Sequence, residues 1–216
     1  MLQLVIGDKQ LSSWSLRPWI LLKHLDVPFE EIRIALDTPR FRDEISRHTP
    51  AGRVPVLVDG AVRIWDSIAI CEYVNEMSGG TAWPEDRVAR AKARAVSAEM
   101  HAGFQALRTA WSLKAASMGL EVPLDAAARA DLARIESMWT GCRRDYAALG
   151  PWLFGRYSIA DAMYAPIVLR FSTYGATLAG TAREYCEFAL RDPWLLEWID
   201  GARQELAEAG RPVDPP

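Results

Sequence analysis

The sequence contains few cysteines, and they lie far apart. Among 216 residues there are only three, Cys71, Cys142 and Cys186, and no two of them form a CxxC pair or another spacing typical of metal ligands. An odd number of scattered cysteines does not predict a disulfide framework. We therefore expect a reduced, cytoplasmic protein without a bound metal.

Long apolar runs and basic blocks are also absent. No segment approaches the roughly 18 apolar residues of a membrane-spanning helix, and residues 1–9 lack the basic region that begins a signal peptide. The formal net charge of −3 is spread along the chain, whereas nucleic-acid-binding proteins carry a basic stripe. We therefore expect neither a membrane nor a nucleic acid as a partner.

The first 77 residues carry alternating strand and helix signals. Asp59-Gly60 between two apolar segments is a hairpin signal, Asp66 suits a helix N-cap, and Pro18 suits the first turn of a helix. The predicted order is β-α-β-α-β-β-α: strand 2–6, a helix from Pro18, strand 29–34, a short helix at 39–46, strands 54–58 and 61–65, and a helix after Asp66.

Residues 78–86 break these patterns and predict a linker, and residues 87–216 have helical periodicity throughout. The spacing of Met100, Phe104, Leu107 and Trp111 predicts one face of a single long helix. Further helices are expected across 132–149, from Ser158, where Asp161 completes a variant of the capping box, and across 193–209. We predict an α/β domain at 1–77 and an all-helical domain at 87–216.

Three segments of the first domain carry chemistry. Pro55 enters a hairpin strand, so the bond before it can be cis, and Val54 then keeps its backbone free to pair with an extended peptide; alternatively, Pro55 only begins an edge strand. Asp66 and Ser67 begin a helix, whose free N–H groups suit a ligand carboxylate; alternatively, Asp66 is only a cap.

The third segment is Ser12-Ser13-Trp14-Ser15, between the first strand and the first helix. Three hydroxyls in four positions supply hydrogen-bond donors close to a helix N-terminus. A polar turn with an N-cap is the alternative interpretation.

Together these segments resemble the glutathione transferase superfamily, and the resemblance covers nearly the whole chain. The hairpin Pro55 is similar to the family's cis-proline, Asp66-Ser67 to its acidic-Ser pair, and Ser158-Ile159-Ala160-Asp161 to the motif that begins its buried core helix. The serine run resembles the Ser-Ser-Cys-Ser motif of the zeta class, the maleylacetoacetate isomerases. Trp14 stands where that motif has cysteine, and Asp66 where glutamine is common.

The resemblance implies a thioredoxin-like glutathione-binding domain followed by a helical domain, and a homodimer. It implies that glutathione is the co-substrate, held by Arg53, Val54, Asp66 and Ser67. The first loop has no cysteine for thiol–disulfide chemistry, so we expect Ser12, or alternatively Ser13, to donate to the glutathione sulfur and stabilise its thiolate.

The electrophile pocket is expected between the first loop and the helix after the linker. Its candidate lining residues are Trp14, Met100, Phe104 and Trp111, although a stripe at this spacing is also what an ordinary packed helix shows. His101 could serve as a base or have a structural role. The leading hypothesis is conjugation of glutathione to small apolar electrophiles. The alternatives are glutathione-dependent isomerisation of a dicarboxylate, for which Arg17 and Arg108 could supply positive charge, and a non-catalytic binding module.

Overall fold

A computed structural model describes residues 1–213 of the protein. The predicted helical domain extends to residue 216, and its last three residues lie outside the described part. The strands are β1 (Leu2–Ile6), β2 (Phe29–Arg33), β3 (Val56–Asp59) and β4 (Val62–Trp65). The helices are α1 (Ser13–His24), α2 (Phe41–Ser46), α3 (Ser67–Met77), α4 (Arg87–Ala102), α5 (Gln105–Ala110), α6 (Ala126–Tyr146), α7 (Ile159–Thr173), α8 (Gly180–Ala189) and α9 (Pro193–Glu208).

The four strands form one mixed sheet in the order β2-β1-β3-β4. Strand β1 is parallel to β2 and antiparallel to β3, and β3 and β4 form the hairpin predicted around Asp59-Gly60. Gly60 has a positive φ of 56°, which glycine adopts without steric cost. The predicted thioredoxin-like order of strands and helices is confirmed.

Helix α1 begins earlier than the sequence predicted. Ser12 is its N-cap, with the side chain accepting a hydrogen bond from the backbone of Ser15, and Pro18 lies inside the helix. The prediction that Pro18 marks the first turn is therefore wrong, because the serine cap six residues upstream already starts the helix. A proline inside a helix removes one backbone hydrogen bond.

Helix α7 is the buried centre of the molecule and contacts α1, α4 and α8. It begins with the predicted capping box: the Asp161 carboxylate accepts from the backbone and the hydroxyl of Ser158 at 2.9 and 3.0 Å. The same carboxylate also accepts from the Leu153 amide at 2.9 Å and the Tyr185 hydroxyl at 3.1 Å. Four donors thus hold Asp161 at the junction of α7, α8 and the loop before them.

The long helix predicted through Met100 and Trp111 is interrupted. Helix α4 ends at Ala102, Gly103 is extended, and Phe104 is left-handed with φ 59° before α5 begins. A Cβ at Gly103 would lie only 2.7 Å from the Glu99 carbonyl oxygen, so the chain bends at a residue without one. Hydrophobic spacing continues across this break, which is why the sequence pattern predicted one helix.

Contacts with the second half of the chain hold the loop between β1 and α1. The Lys9 carbonyl accepts from the Trp198 indole at 2.9 Å, and the Lys9 amide donates to Glu205 at 2.8 Å. The Gln10 side chain accepts from the Ala116 amide at 2.7 Å. The segment 12–15 therefore lies between this anchored loop and the helix α1 that it begins. Within residues 1–213, no helix has the length and apolar character needed to cross a membrane.

Candidate functional site

A cavity of about 540 Å³ opens between the β3–β4 hairpin, the start of α3 and the end of α4. Its volume falls in the range of roughly 300–1,000 Å³ found for small-molecule sites. The segments before β3 and α3 line one side, and single residues from α1 and α4 line the other. The lining residues are Trp14, Ala51, Arg53, Val54, Pro55, Trp65, Asp66, Ser67 and His101.

Val54 supplies backbone groups to this cavity. The Val54–Pro55 peptide bond is cis, as the sequence indicated. Neither the amide nor the carbonyl of Val54 makes a backbone hydrogen bond to another described residue. Such free groups just before a strand can pair with an extended peptide ligand.

Asp66 and Ser67 form the start of α3 in the same cavity. Asp66 has φ 76°, which is uncommon for a residue with a side chain, and its Oδ1 caps the helix by accepting from the Ile68 amide at 3.0 Å. Ser67 is 1% exposed, and its buried hydroxyl has no hydrogen-bond partner in residues 1–213. A buried polar group without a partner is costly, so this hydroxyl is poised for a ligand atom.

His101, at the end of α4, reaches the cavity from the helical half. Its Nε2 lies 3.3 Å from Oδ2 of Asp66, and its ring makes an edge contact with Trp14 at 5.3 Å between centroids. The sequence suggested a base or a structural residue here. The geometry shows His101 orienting the acidic side chain at the start of α3.

Ser12 and Ser13 lie next to the cavity, at the N-terminus of α1, and are not among its lining residues. The Ser12 hydroxyl donates to Oγ of Ser15 at 2.7 Å, and Ser15 Oγ also accepts from the Gly7 amide at 3.2 Å. The Ser13 side chain makes no hydrogen bond to any described residue. The two hydroxyls therefore differ in their local partners although both are buried.

Two arginine side chains lie against the ring of Trp14, which lines the cavity. The guanidinium carbons of Arg17 and Arg108 lie 4.1 and 4.5 Å from its ring centroid. Burial, followed by the nearby charges of Arg108 and Arg170, lowers the pKa of Arg17 to about 9. The sequence named Arg17 and Arg108 as possible sources of charge, and the structure brings both onto one aromatic side chain.

The other predicted pocket residues lie elsewhere. Met100, Phe104 and Trp111 are at most 6% exposed and belong to the main hydrophobic core, whereas Trp14 is only partly buried and lines the cavity. Arg53 is exposed at the cavity rim. Trp65 also lines the cavity but was not predicted as a site residue. Its position directly before Asp66 and Ser67 in the sequence could have indicated it.

Part of the chain is similar to known proteins. A family model described as glutathione S-transferase, N-terminal domain, matches residues 11–77. Over 58 residues the chain is 43% identical to a dichloromethane dehalogenase of Methylorubrum extorquens, covering 26% of the chain and 20% of that protein. Over 97 residues it is 33% identical to a probable maleylacetoacetate isomerase of Caenorhabditis elegans, covering 44% of each. The chain thus matches less than half the length of either curated relative.

The whole-chain fold is also shared with solved structures. A glutathione transferase homologue from Burkholderia, crystallised with bound glutathione, superposes with a TM-score of 0.68 at 22% identity, covering 94% of this chain and 98% of the other. At this identity the superposition concerns the fold. Both halves of the chain, and their order, are those of that structure.

Proposed function

We propose that the chain, whose residues 11–77 match the N-terminal domain of glutathione S-transferases, binds glutathione in the cavity beside α3 and adds the glutathione sulfur to a small electrophile. In this proposal, residues 1–77 form the glutathione-binding domain. Residues 78–86 link it to the helical domain, residues 87–216, which supplies the other side of the pocket. The observation that carries the proposal is the buried, unpartnered hydroxyl of Ser67, in the same cavity as the free backbone of Val54.

Each part of glutathione has a matching group in the cavity. The γ-glutamyl carboxylate accepts from the Ser67 hydroxyl and the N-terminus of α3, where unpaired N–H groups favour an anion. The γ-glutamyl ammonium pairs with Asp66, which is already oriented by His101. The cysteinyl backbone pairs with Val54, and the exposed Arg53 at the rim meets the glycyl carboxylate.

This arrangement directs the thiol towards the serines at the start of α1. A thiol with a pKa of about 8.5 is only a few per cent ionised at pH 7, and lowering it by two units needs about 2.7 kcal/mol. One charge-assisted hydrogen bond and a helix N-terminus together supply energy of that size. Ser12 is the proposed donor: its proton turns from Ser15 to the sulfur, and Ser15 then donates to Ser12. Ser13, whose hydroxyl has no partner among the described residues, is the alternative.

The thiolate attacks the electrophilic carbon of the second substrate. A carbon–sulfur bond forms while the leaving group departs with the bonding electron pair, or while an activated double bond takes up the electrons and then a proton. Of the four residues expected to line the electrophile pocket, Trp14 is the one that reaches the cavity, so the apolar body of the substrate packs against its indole.

The test is an ultraviolet titration of bound glutathione thiolate in the parent and in Ser12→Ala, Ser13→Ala and Ser15→Ala. S-methylglutathione, which has no thiol, provides the baseline. We expect a bound thiol pKa well below about 8.5, returned towards that value by Ser12→Ala and changed less by Ser15→Ala. If only Ser13→Ala returned the thiol pKa towards about 8.5, Ser13 would be the donor to the sulfur. An ordinary thiol pKa in every variant, or no bound glutathione, would favour a non-catalytic binding module.

A second candidate is glutathione-dependent cis–trans isomerisation, favoured by the 33% identity to the probable maleylacetoacetate isomerase. It uses the same thiolate but releases glutathione unchanged. Incubation with maleylacetoacetate distinguishes the two: isomerisation leaves the glutathione concentration constant, whereas conjugation consumes it.

We also propose a homodimer that joins the glutathione-binding half of one copy to the helical half of the other. Exposed apolar side chains occur on both halves, with Val62 and Trp65 on β4 and Val88 on α4. Such residues are frequent in interfaces when they are contiguous. Light scattering at micromolar concentration should give twice the chain mass of 24.1 kDa; the monomer mass would refute the dimer.

A further inference from the structure

Arg17 differs from the other buried arginines of the molecule. Its side chain is 1% exposed, and its Nε and Nη1 atoms are buried without a hydrogen-bond partner in the described structure. Arg170, also buried, donates to the carbonyls of Trp111 and Pro166. Arg143 donates to the carbonyls of Trp152 and Gly150. Arg17 is thus a buried cation with two N–H donor atoms that have no acceptor among the described residues.

Positive charge accumulates around Arg17, and the one nearby carboxylate that acts on its pKa, Asp66, has a smaller effect than Arg108 and Arg170. Arg108 and Arg170 both lower its pKa through their charges, and none of the three forms an ion pair with a carboxylate in residues 1–213. Arg170 is occupied by carbonyls, whereas Arg108 is only partly buried and makes one long contact, 3.3 Å to the Gly103 carbonyl. Buried charges in proteins are normally paired, so the cluster lacks an anion.

The position of the cluster connects it to the proposed thiolate chemistry. Arg17 lies one helical turn after Ser13 on α1 and therefore shares a face with it. Its guanidinium stacks on Trp14, the residue that lines the cavity, and Arg108 reaches the same indole from α5. A ligand group held by these arginines would lie close to the start of α1.

We propose that Arg17 and Arg108 form an anion subsite beside Trp14 that holds a carboxylate of the electrophilic substrate. The role of the subsite in substrate selection rests on the proposed glutathione chemistry. The subsite itself binds carboxylates with or without turnover. It makes the preferred second substrate an apolar or aromatic electrophile that carries a carboxylate, in place of a purely apolar one.

Each guanidinium can stack on Trp14 and hydrogen-bond to a carboxylate at the same time. The aromatic ring of Trp14 contacts the face of the planar group, whereas N–H donors lie in its plane and point to a carboxylate at the edge. Charge-assisted hydrogen bonds of this kind are about twice as strong as neutral ones. A neutral electrophile leaves the Arg17 donors unpaired, and that difference produces selectivity for anions.

A matched pair of substrates tests the subsite. 4-(Chloromethyl)benzoate and its methyl ester share the same reactive carbon; in both, the thiolate forms a carbon–sulfur bond and chloride leaves with the electron pair. Only the first carries a carboxylate. We expect kcat/KM for the benzoate to exceed that for the ester by at least about ten-fold at pH 7, the scale of one charge-assisted hydrogen bond.

Three variants locate the origin of this preference. Arg17→Lys keeps the charge but loses the planar fork, Arg108→Gln loses the charge at a partly buried position, and Arg183→Gln is the control on the exposed face of α8. The ratio of the two kcat/KM values should fall towards one in the first two and stay unchanged in the third. Because the readout is a ratio, a general loss of activity cancels. An unchanged ratio in correctly folded Arg108→Gln, or a parent ratio near one, would overturn the proposal.

A binding measurement separates the subsite from the proposed activity. 4-Methylbenzoate has no leaving group, and 4-methylbenzamide is its neutral counterpart; calorimetry with each probes the subsite without a reaction. If neither chloride is turned over but 4-methylbenzoate binds the parent and fails to bind Arg108→Gln, the transferase assignment fails and the anion subsite stands. Equal binding of the acid and the amide, or equal binding to parent and variant, refutes the subsite.

Discussion

The Nε2 atom of His101 lies 3.3 Å from Oδ2 of Asp66, which connects the last turn of α4 to the N-cap of α3. Oδ1 of the same carboxylate caps α3 by accepting from the Ile68 amide. Asp66 is thus held through both oxygens in its left-handed conformation. The helical half of the chain thereby orients a residue of the half that we propose binds glutathione.

This contact predicts that His101 acts on glutathione binding by positioning Asp66. His101→Leu should weaken glutathione binding by up to about five-fold, because a partly exposed polar contact of this kind contributes up to about 1 kcal/mol. His101→Gln, which retains a donor, should bind more nearly as the parent does. Calorimetric titration with glutathione measures both. Equal affinity in the parent and His101→Leu would mean that Asp66 needs no support from α4.

Ser67 and Ser78 offer a matched comparison of two unpartnered hydroxyls. Both Oγ atoms are buried without a partner in residues 1–213, but only Ser67 lines the cavity. Ser67→Ala should weaken glutathione binding by about ten-fold or more, the value for a hydrogen bond to a charged group. Ser78→Ala should leave the affinity unchanged.

Thermal unfolding without ligand distinguishes this role from a structural one. Removing an unsatisfied buried hydroxyl should not lower the midpoint in either serine variant. Loss of stability in Ser67→Ala, with unchanged affinity, would show that the hydroxyl supports the fold and does not contact glutathione.

Local signals predicted much of the fold correctly. The Asp59-Gly60 pair determined the hairpin, and the spacing of Ser158 and Asp161 predicted the start of α7, because turns and caps depend on residues within a few positions. Helix α8 was missed, although Ala182, Tyr185, Cys186 and Ala189 have helical spacing and are buried.

Features that depend on distant segments could not be predicted in the same way. The hydrophobic spacing from Met100 to Trp111 continues across the break at Gly103, so periodicity alone gave one helix. The charges around Arg17 come from Arg108 on α5 and Arg170 on α7, which no local pattern specifies. Within the cavity, Val54, Asp66 and Ser67 were selected from their positions before a hairpin proline and at a helix start, together with the resemblance, whereas the contact from His101 required the structure.

Asp161 predicts an unusual pH dependence of stability. Burial raises its pKa to about 6, against the effect of its four hydrogen-bond donors. In the unfolded chain an aspartate titrates near 3.9, so the folded state takes up the proton first as the pH falls. The contribution of this carboxyl to the free energy of unfolding therefore increases as the pH falls from about 6 to about 4, by about 3 kcal/mol in total.

Urea unfolding of the parent and Asp161→Asn across pH 4–7 tests this sign. The variant should be less stable throughout, because its amide nitrogen faces donors that need an acceptor. The free-energy difference between parent and variant should be larger at pH 4.5 than at pH 7. A difference that is constant or shrinks towards low pH would contradict the raised pKa.

Gly103 and Gly141 allow a paired test of the bend between α4 and α5. A Cβ at Gly103 would lie 2.7 Å from the Glu99 carbonyl oxygen, a backbone atom that cannot move aside alone, whereas a Cβ at Gly141, inside α6, has no heavy atom within 4 Å. We expect Gly103→Ala to lower the free energy of unfolding by about 1–3 kcal/mol through overpacking. Gly141→Ala should raise it by about 0.5–1 kcal/mol through improved helix propensity.

The same pair connects the bend to the site. Because Gly103 lies between His101 and Arg108, displacement of the backbone there should weaken glutathione binding and also reduce the preference for a carboxylate-bearing electrophile. Gly141→Ala, far from both groups in sequence, should change neither. If Gly103→Ala were destabilised but kept the parent's glutathione affinity and substrate ratio, the bend would serve packing alone, and the positions of His101 and Arg108 would be set by their own contacts with Asp66 and Trp14.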